Sequence, residues 1–480
     1  MTFSAHAATA AHRFGLGEAD LARVGADPSG WLRSQIGPAD LQPGTGLATA
    51  ADGLRAHARF IQIQRRPVAV TAEAPAMAAE GMAAPRSVER AFVEHFREIT
   101  QADQRAHVAA AVASQRPFAE RLALFWANHF TVSQIKASTR ALIGAFEREA
   151  IRPHIAGNFR TLLKASTTHG TMLRYLDNDR SAGPHSLLAQ RRVQRNPRAE
   201  ALRDRPTGLN ENLAREVLEL HTLGAASQAY TQADVTAFAA VLTGWRILPR
   251  PQDMLDLPSD ARVAGFDPDW HEPGEKTVLG QRIAEGAGGL DQVLELLVRH
   301  PATAQFIALK LARHFVADDP PATLVQRLAQ RFQRSDGDLP ALYAELIGAP
   351  EAWVETPQKL KTPAEWVISS WRLLGIGPQV LQRQPDAGIS TLGQRLQAAP
   401  SPAGWPDRQE EWLGPDAVWK RVEWATRAGE RMGLQVDARE LARRALGPRL
   451  SEATAQQIAR AADGPQALAL LLLSPEFLRR

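Results

Sequence analysis

Apolar residues recur at helical spacing along most of this 480-residue chain. Phe118, Leu122, Phe125 and His129 fall at i, i+4, i+7 and i+11, which is one face of a 3.6-residue period. The same period predicts helices over 141–150, 159–165, 210–223, 231–242, 302–317, 322–334 and 339–346. A further helix over 19–36 is expected to break at Asp27–Pro28. Gly224 suits a helix stop, and Thr231 to Asp234 has the spacing of a capping box.

Between Gly244 and Gly280 the period lapses. Trp245, Ile247, Phe266, Trp270, Val278 and Leu279 stand there among proline, glycine and aspartate, which reads as a β-like excursion. The expected fold class is mainly α: a large multi-helix globular array with one or two short β-hairpin excursions. The whole of 1–480 reads as one helical unit. Within it lie a flexible alanine-rich insertion at 70–85, a basic loop at 179–209 and a tryptophan-rich C-terminal subdomain at 385–480.

The chain has no cysteine, which excludes disulfide scaffolds, iron–sulfur sites, thiolate zinc sites and cysteine nucleophiles. Its net charge of +4 is small for a nucleic-acid binder of this length, and no nucleic-acid signature is present. The excess is local: Arg180, Arg191, Arg192, Arg195, Arg198, Arg203 and Arg205 crowd the basic loop. Such arginines suit a phosphate, sulfate or carboxylate, or form a solvated face. No apolar run approaches the roughly 18 residues needed to span a bilayer, so no membrane span is expected. The first 16 residues hold no apolar signal core, and the sequence reads as cytoplasmic.

Several motifs fail on their own chemistry. Gly15-Leu-Gly17 lacks the strand and third glycine of a dinucleotide fingerprint. His271-Glu272 is followed by Pro273 and Gly274, which break the helix that a zinc-protease motif needs. The densest polar cluster is Asn210 to His221. At 100° per residue, Leu213, Val217 and Leu220 form an apolar stripe, with Asn212, Glu216 and Glu219 on the neighbouring face. Carboxylates beside a core stripe need a counter-charge, a metal or a shared proton. Glu216, Glu219, His271 and Glu272 are therefore the candidate catalytic residues, and Glu216, Glu219 and His271 the candidate ligands of a divalent metal. Asn128, His129, Asp177, Asn212, Arg215 and His221 are the candidate substrate-binding residues. The competing reading pairs the carboxylates with Arg215 and leaves His129 as a hydrogen-bonded core residue. His314 reads as packing.

The chain also resembles the bacterial domain-of-unknown-function family 1800. The resemblance rests on Arg13-Phe-Gly-Leu-Gly17, Glu120-Arg-Leu-Ala-Leu-Phe-Trp-Ala-Asn-His-Phe130, Tyr175-Leu-Asp-Asn178 and Ser181-Ala-Gly-Pro184. It continues through Leu209 to Gly224, Tyr230 to Val235, Leu242-Thr-Gly-Trp245, His271 to Gly280, Lys359-Leu-Lys-Thr-Pro363 and Ser474-Pro-Glu-Phe477. Gly170, where the pattern has proline, and the alanine-rich insertion depart from it. The resemblance carries over no activity. It implies a sulfatase-like partner encoded nearby, an anionic or glycan-type substrate, and export alongside that partner as the alternative to a cytoplasmic location. A weaker likeness to helical modules beside haem domains implies a redox role, with His129 or His221 as haem ligand.

The functional expectation is an enzyme with one polar pocket performing hydrolysis or group transfer. That pocket would collect Asp177, the loop arginines, Glu216, Glu219, His221 and His271. The alternatives are a non-catalytic partner or chaperone of the sulfatase-like protein and, third, a redox component.

Overall fold

A computed structural model describes residues 4–65, 85–195 and 208–480. The alanine-rich insertion at 70–84 and loop residues Arg198, Arg203 and Arg205 lie outside the described residues. The fold is mainly α, and its β structure among the described residues is two antiparallel two-stranded sheets. The first pairs Trp245–Ile247 with Ala264–Phe266, and the second pairs Lys276–Val278 with Gln281–Ile283. No described helix is long and apolar enough to cross a membrane.

The helices follow from their sequence signals. Phe118 and its stripe lie on the helix Pro117–His129, with proline at its start. Gln232–Leu242 opens on the Thr231/Asp234 capping box, in which each side chain accepts from the other's backbone nitrogen. The expected break at Asp27–Pro28 is a helix start instead: Asp27 caps Pro28–Arg33. The basic loop is not all loop. Its described part holds the helix Leu187–Arg195, seated on Ser186 Oγ, which accepts from the Ala189 nitrogen.

Three short helices widen into π turns: Ala10–Phe14, Glu147–Ile151 and Val217–His221. A π turn adds a residue to the ladder, so side chains beyond it leave the face that a 3.6 period assigns. The polar cluster at 212–221 is built this way, as helix Asn212–Glu216 followed by its π turn, and Gly224 stops it in the left-handed half of backbone space at φ 85°.

Two large apolar cores divide the chain. One runs from the N-terminal helix through Phe118, Trp126, Phe159, Phe238, Leu311 and Tyr343. The other gathers Trp366, Ile368, Leu392, Leu446, Leu468 and Phe477 with Leu16 and Val108. Buried arginines lace the seam. Arg372 donates to the carbonyls of Gly17, Ala111, Val112 and Ser114, capping the end of helix Pro85–Ala113, and pairs with Glu18. In the C-terminal stretch, Trp424 packs on Trp366 at 4.8 Å between ring centroids, Trp405 lies 5.8 Å from Trp412, and Trp419 is exposed.

Candidate active site

A cavity of about 170 Å³ opens at the seam. Its apolar wall comes from Leu16, Leu124, Val132, Ile143, Phe146, Ile368 and Leu396. Its ionisable residues are His107, Arg121, Glu147, His314, Glu365 and Asp407. Buried charges survive only when paired, and these are organised into two networks.

On one side, His107 of helix Pro85–Ala113 meets Glu147 at the start of its π turn. His107 Nδ1 lies 2.8 Å from Glu147 Oε2. Glu147 Oε1 accepts from Gln42 Nε2 at 2.7 Å and from Arg152 Nη1 at 3.2 Å. Arg152 in turn grips Glu120 through two bonds of 2.9 and 2.6 Å. Burial alone would raise the Glu147 carboxyl, but His107 and Arg152 overcome it and hold it at about 2. Burial would discharge His107, but the Glu147 carboxylate prevails and raises it above the usual histidine value.

On the other side, Glu365 receives Arg121 Nη2 at 2.5 Å and Arg480 Nη2 at 2.9 Å. Burial works against its charge, and Arg480 and Arg121 depress its pKa far below the ordinary range. His314 presents Nδ1 to Asp407 Oδ1 at 3.7 Å, and Lys359 reaches the same oxygen at 3.2 Å. Burial pushes His314 down to about 4 despite that carboxylate. With its proton on Nδ1, on the side of the Asp407 carboxylate, His314 keeps a lone pair on Nε2. Three buried nitrogens of the lining residues have no partner among the described residues: Arg121 Nε, His314 Nε2 and Gln397 Nε2.

The wall facing solvent is the irregular stretch around Gln394 to Asp407, held by its backbone. Asn128 Nδ2 donates to Trp405 O at 3.0 Å and Asn128 Oδ1 accepts from Trp405 N at 2.8 Å. Gly404 permits this approach: a Cβ there would fall 2.5 Å from Asn128 O. Asn128 lines the cavity, and both ends of its amide clamp the wall.

The other sequence-predicted residues lie in four separate places. Glu216 and Glu219 sit half-buried beside Arg215, which bonds Glu219 at 3.4 Å and Glu211 at 3.0 Å. Burial first, and Glu219 second, raise the Glu216 carboxyl. Asp177 and Asn212 line an open surface depression with Arg180, Asn210 and Glu211, and Asp177 pairs with Lys136 at 2.6 Å. His271 has both ring nitrogens engaged, Nδ1 against Thr243 O at 2.9 Å and Nε2 accepting from Gly286 N at 3.1 Å. Glu272 receives the nitrogen and Nδ1 of His185 at 2.9 and 2.6 Å. His271 and Glu272 therefore seat the hairpin region on its neighbours. Among the described residues, no three His, Cys, Asp or Glu side chains are grouped to hold a metal, so Glu216, Glu219 and His271 do not form a ligand set.

His129 and His221 are each 1% exposed, with ring centroids 6.0 Å apart. His129 Nε2 lies 3.1 Å from His221 O, and both rings pack on Phe130. Burial pushes His221 down to about 3 and lowers His129 as well. Such enclosure leaves no room beside either ring for a haem face.

The family model described as protein of unknown function DUF1800 matches residues 9–479. The chain belongs to the DUF1800 family. The match spans both cores and every residue of the cavity. No curated protein and no solved structure matches the chain. The sulfatase-like partner therefore rests on the resemblance alone.

Sequence reasoning missed His107, Glu147, Glu365 and Asp407, and it read His314 as packing. One signal was present. Glu120 and Arg121 interrupt the apolar helix Pro117–His129, and both are 2% exposed. Ionisable residues that helical phase forces into a core require partners elsewhere.

Proposed function

We propose that this chain is an enzyme that moves protons on a small, largely apolar molecule bound in the seam cavity. The observation that carries the reading is the pair of histidine–carboxylate couples on one cavity, His107–Glu147 and His314–Asp407. Their environments drive the two imidazoles apart. His107 keeps its proton and serves as acid; His314 is neutral and offers Nε2 as base. Arg121 Nε and Gln397 Nε2 supply unpartnered donors for a carbonyl-type oxygen of the substrate.

The size supports a small substrate: a cavity of similar volume in another protein holds one six-carbon ring. The lining cations are already paired, Arg121 with Glu365 and His107 with Glu147. That pairing disfavours a strongly anionic substrate, and the volume disfavours a glycan chain. Chemistry that breaks a bond to hydrogen at one point and protonates oxygen at another, such as loss or addition of water, matches the two couples.

Histidine titration by NMR on the full chain tests the assignment, together with a thermal-shift screen of carbonyl and hydroxy compounds. His107 is expected above 6.5 and His314 below it. Compounds that stabilise the wild type should lose their effect in H107Q and H314Q. Two histidines titrating together near 6.5, or binding untouched by both substitutions in folded protein, would overturn the reading.

A further inference from the structure

Away from the cavity, several buried cations have no ion-pair partner among the described residues. Arg13, Lys361 and Arg421 are at most 4% exposed, and the buried carboxylate nearby, Glu365, already serves Arg121 and Arg480. Arg13 spends itself on the carbonyls of Ala352 and Thr356, and Arg421 on that of Lys361.

The deficit is sharpest around Phe477. Lys361 Nζ lies 4.1 Å from the centre of its ring and has no hydrogen-bond partner among the described residues. The His12 ring lies 6.4 Å from the same ring, in the π turn Ala10–Phe14. His12 Nε2 meets Ala445 O at 2.7 Å, and its Nδ1 is unpartnered. One turn earlier, Thr9 Oγ1 accepts from Arg449 Nη2 at 3.0 Å, which places the arginine on the same helix. Arg449 Nε and Nη1 are unpartnered too. Burial lowers Lys361, and Arg449 to about 9, as it must for cations short of counter-charge. Carbonyls and an aromatic face do not neutralise an ammonium and a guanidinium inside a protein.

We infer that Lys361, Arg449 and His12 bind inorganic hydrogenphosphate. The atoms left open specify the ligand. Lys361 Nζ and Arg449 Nε and Nη1 are donors and require oxyanion acceptors. The carbonyl of Ala445 assigns the His12 proton to Nε2, so Nδ1 is an acceptor and requires an O–H. Hydrogenphosphate carries both; sulfate at neutral pH carries only acceptors. Arg449 as a whole is only partly buried, although its Nε and Nη1 are enclosed.

The test uses the full chain, purified and dialysed without phosphate or sulfate. Inorganic phosphate, sulfate and glycerol phosphate are titrated by calorimetry at fixed ionic strength, with thermal melts alongside. Phosphate is expected to bind about tenfold more tightly than sulfate, the worth of one well-made hydrogen bond. K361M removes the charge and keeps the apolar stem; it should fold and lose the phosphate response. R449Q is the second variant should K361M fail to fold. Glycerol phosphate is mainly a dianion without a phosphate O–H at pH 7.5, so it is expected to bind as weakly as sulfate, and binding as tight as that of inorganic phosphate would overturn the inference. Equal response to sulfate, a response that survives both substitutions, or no response with the Lys361 amine neutral at pH 7 by NMR would each overturn the inference.

Discussion

His107 Nδ1 and Glu147 Oε2 are 2.8 Å apart, the closest approach between a histidine and a carboxylate that line the seam cavity. The pair joins a long helix to a π turn 40 positions later in the chain. Its proton accounting gives a stability profile. Glu147 is held at about 2 against an ordinary 4.5, so its contribution is present above 4.5 and is lost as pH falls towards 2. That shift corresponds to roughly 3 kcal/mol, shared with Arg152. His107 is raised, so its contribution is full below 6.5 and is lost as pH climbs through its folded value. Denaturant unfolding from pH 4 to 9 should show a decline above 6.5 in the wild type and a flatter curve in H107Q. Identical slopes would refute the pairing.

Asn128 offers a sharper separation of structure from chemistry. Its amide makes two bonds to the Trp405 backbone, and Gly404 makes room for it at φ 87°. N128D keeps the acceptor and sets an oxygen against Trp405 O, with an expected loss of about 1–3 kcal/mol. G404A should cost about 1–3 kcal/mol from the clash, with positive-φ strain added. Both variants should also weaken any ligand of the cavity, because the clamped stretch is its wall. Calorimetric melting points, measured with and without ligand, check both effects.

Much of the scaffold was legible because helical period is a local property. Phe118, Leu122 and Phe125 announce their helix without reference to anything else, and Thr231 and Asp234 announce where the next one starts. The site was not legible, for two physical reasons. His107 meets Glu147, and His314 meets Asp407, across separations that no spacing rule covers. Glu147 and His221 also lie in π turns, where a 100° projection assigns the wrong face. Projection did put Glu216 beside Glu219, and the two do sense each other. The competing reading, Arg215 as partner of the carboxylates, holds for Glu219, whereas no spacing shows that Thr243 and Gly286 already occupy His271.

The Arg121–Glu365–Arg480 triad should be the most sensitive point of the seam. Glu365 is 8% exposed and faces two guanidiniums that are themselves buried. E365Q leaves both cations uncompensated, which typically costs about 3–5 kcal/mol. R121M removes one of the two charges but keeps Glu365 paired through Arg480, so a smaller loss is expected. Equal losses from the two variants would show that packing, not charge, sets the cost. Urea unfolding at neutral pH measures both.

Glu216 decides between a carboxylate kept for chemistry and one tolerated at the edge of a core. Burial and Glu219 both raise its pKa, so the folded state holds the proton more tightly than the unfolded chain. At pH 4 and below, both states are largely protonated and no penalty arises. As pH rises past 4.5 the unfolded state ionises first, and the wild type loses stability until the folded group ionises as well. E216Q removes that penalty. It should match the wild type near pH 4 and exceed it at pH 7, with cavity binding unchanged because Glu216 does not line the cavity. E219Q, which releases Arg215 from one of its two acids, should be neutral or slightly destabilising. Loss of a ligand response or an activity in E216Q, with stability intact, would return Glu216 to the catalytic role that its helical spacing first indicated.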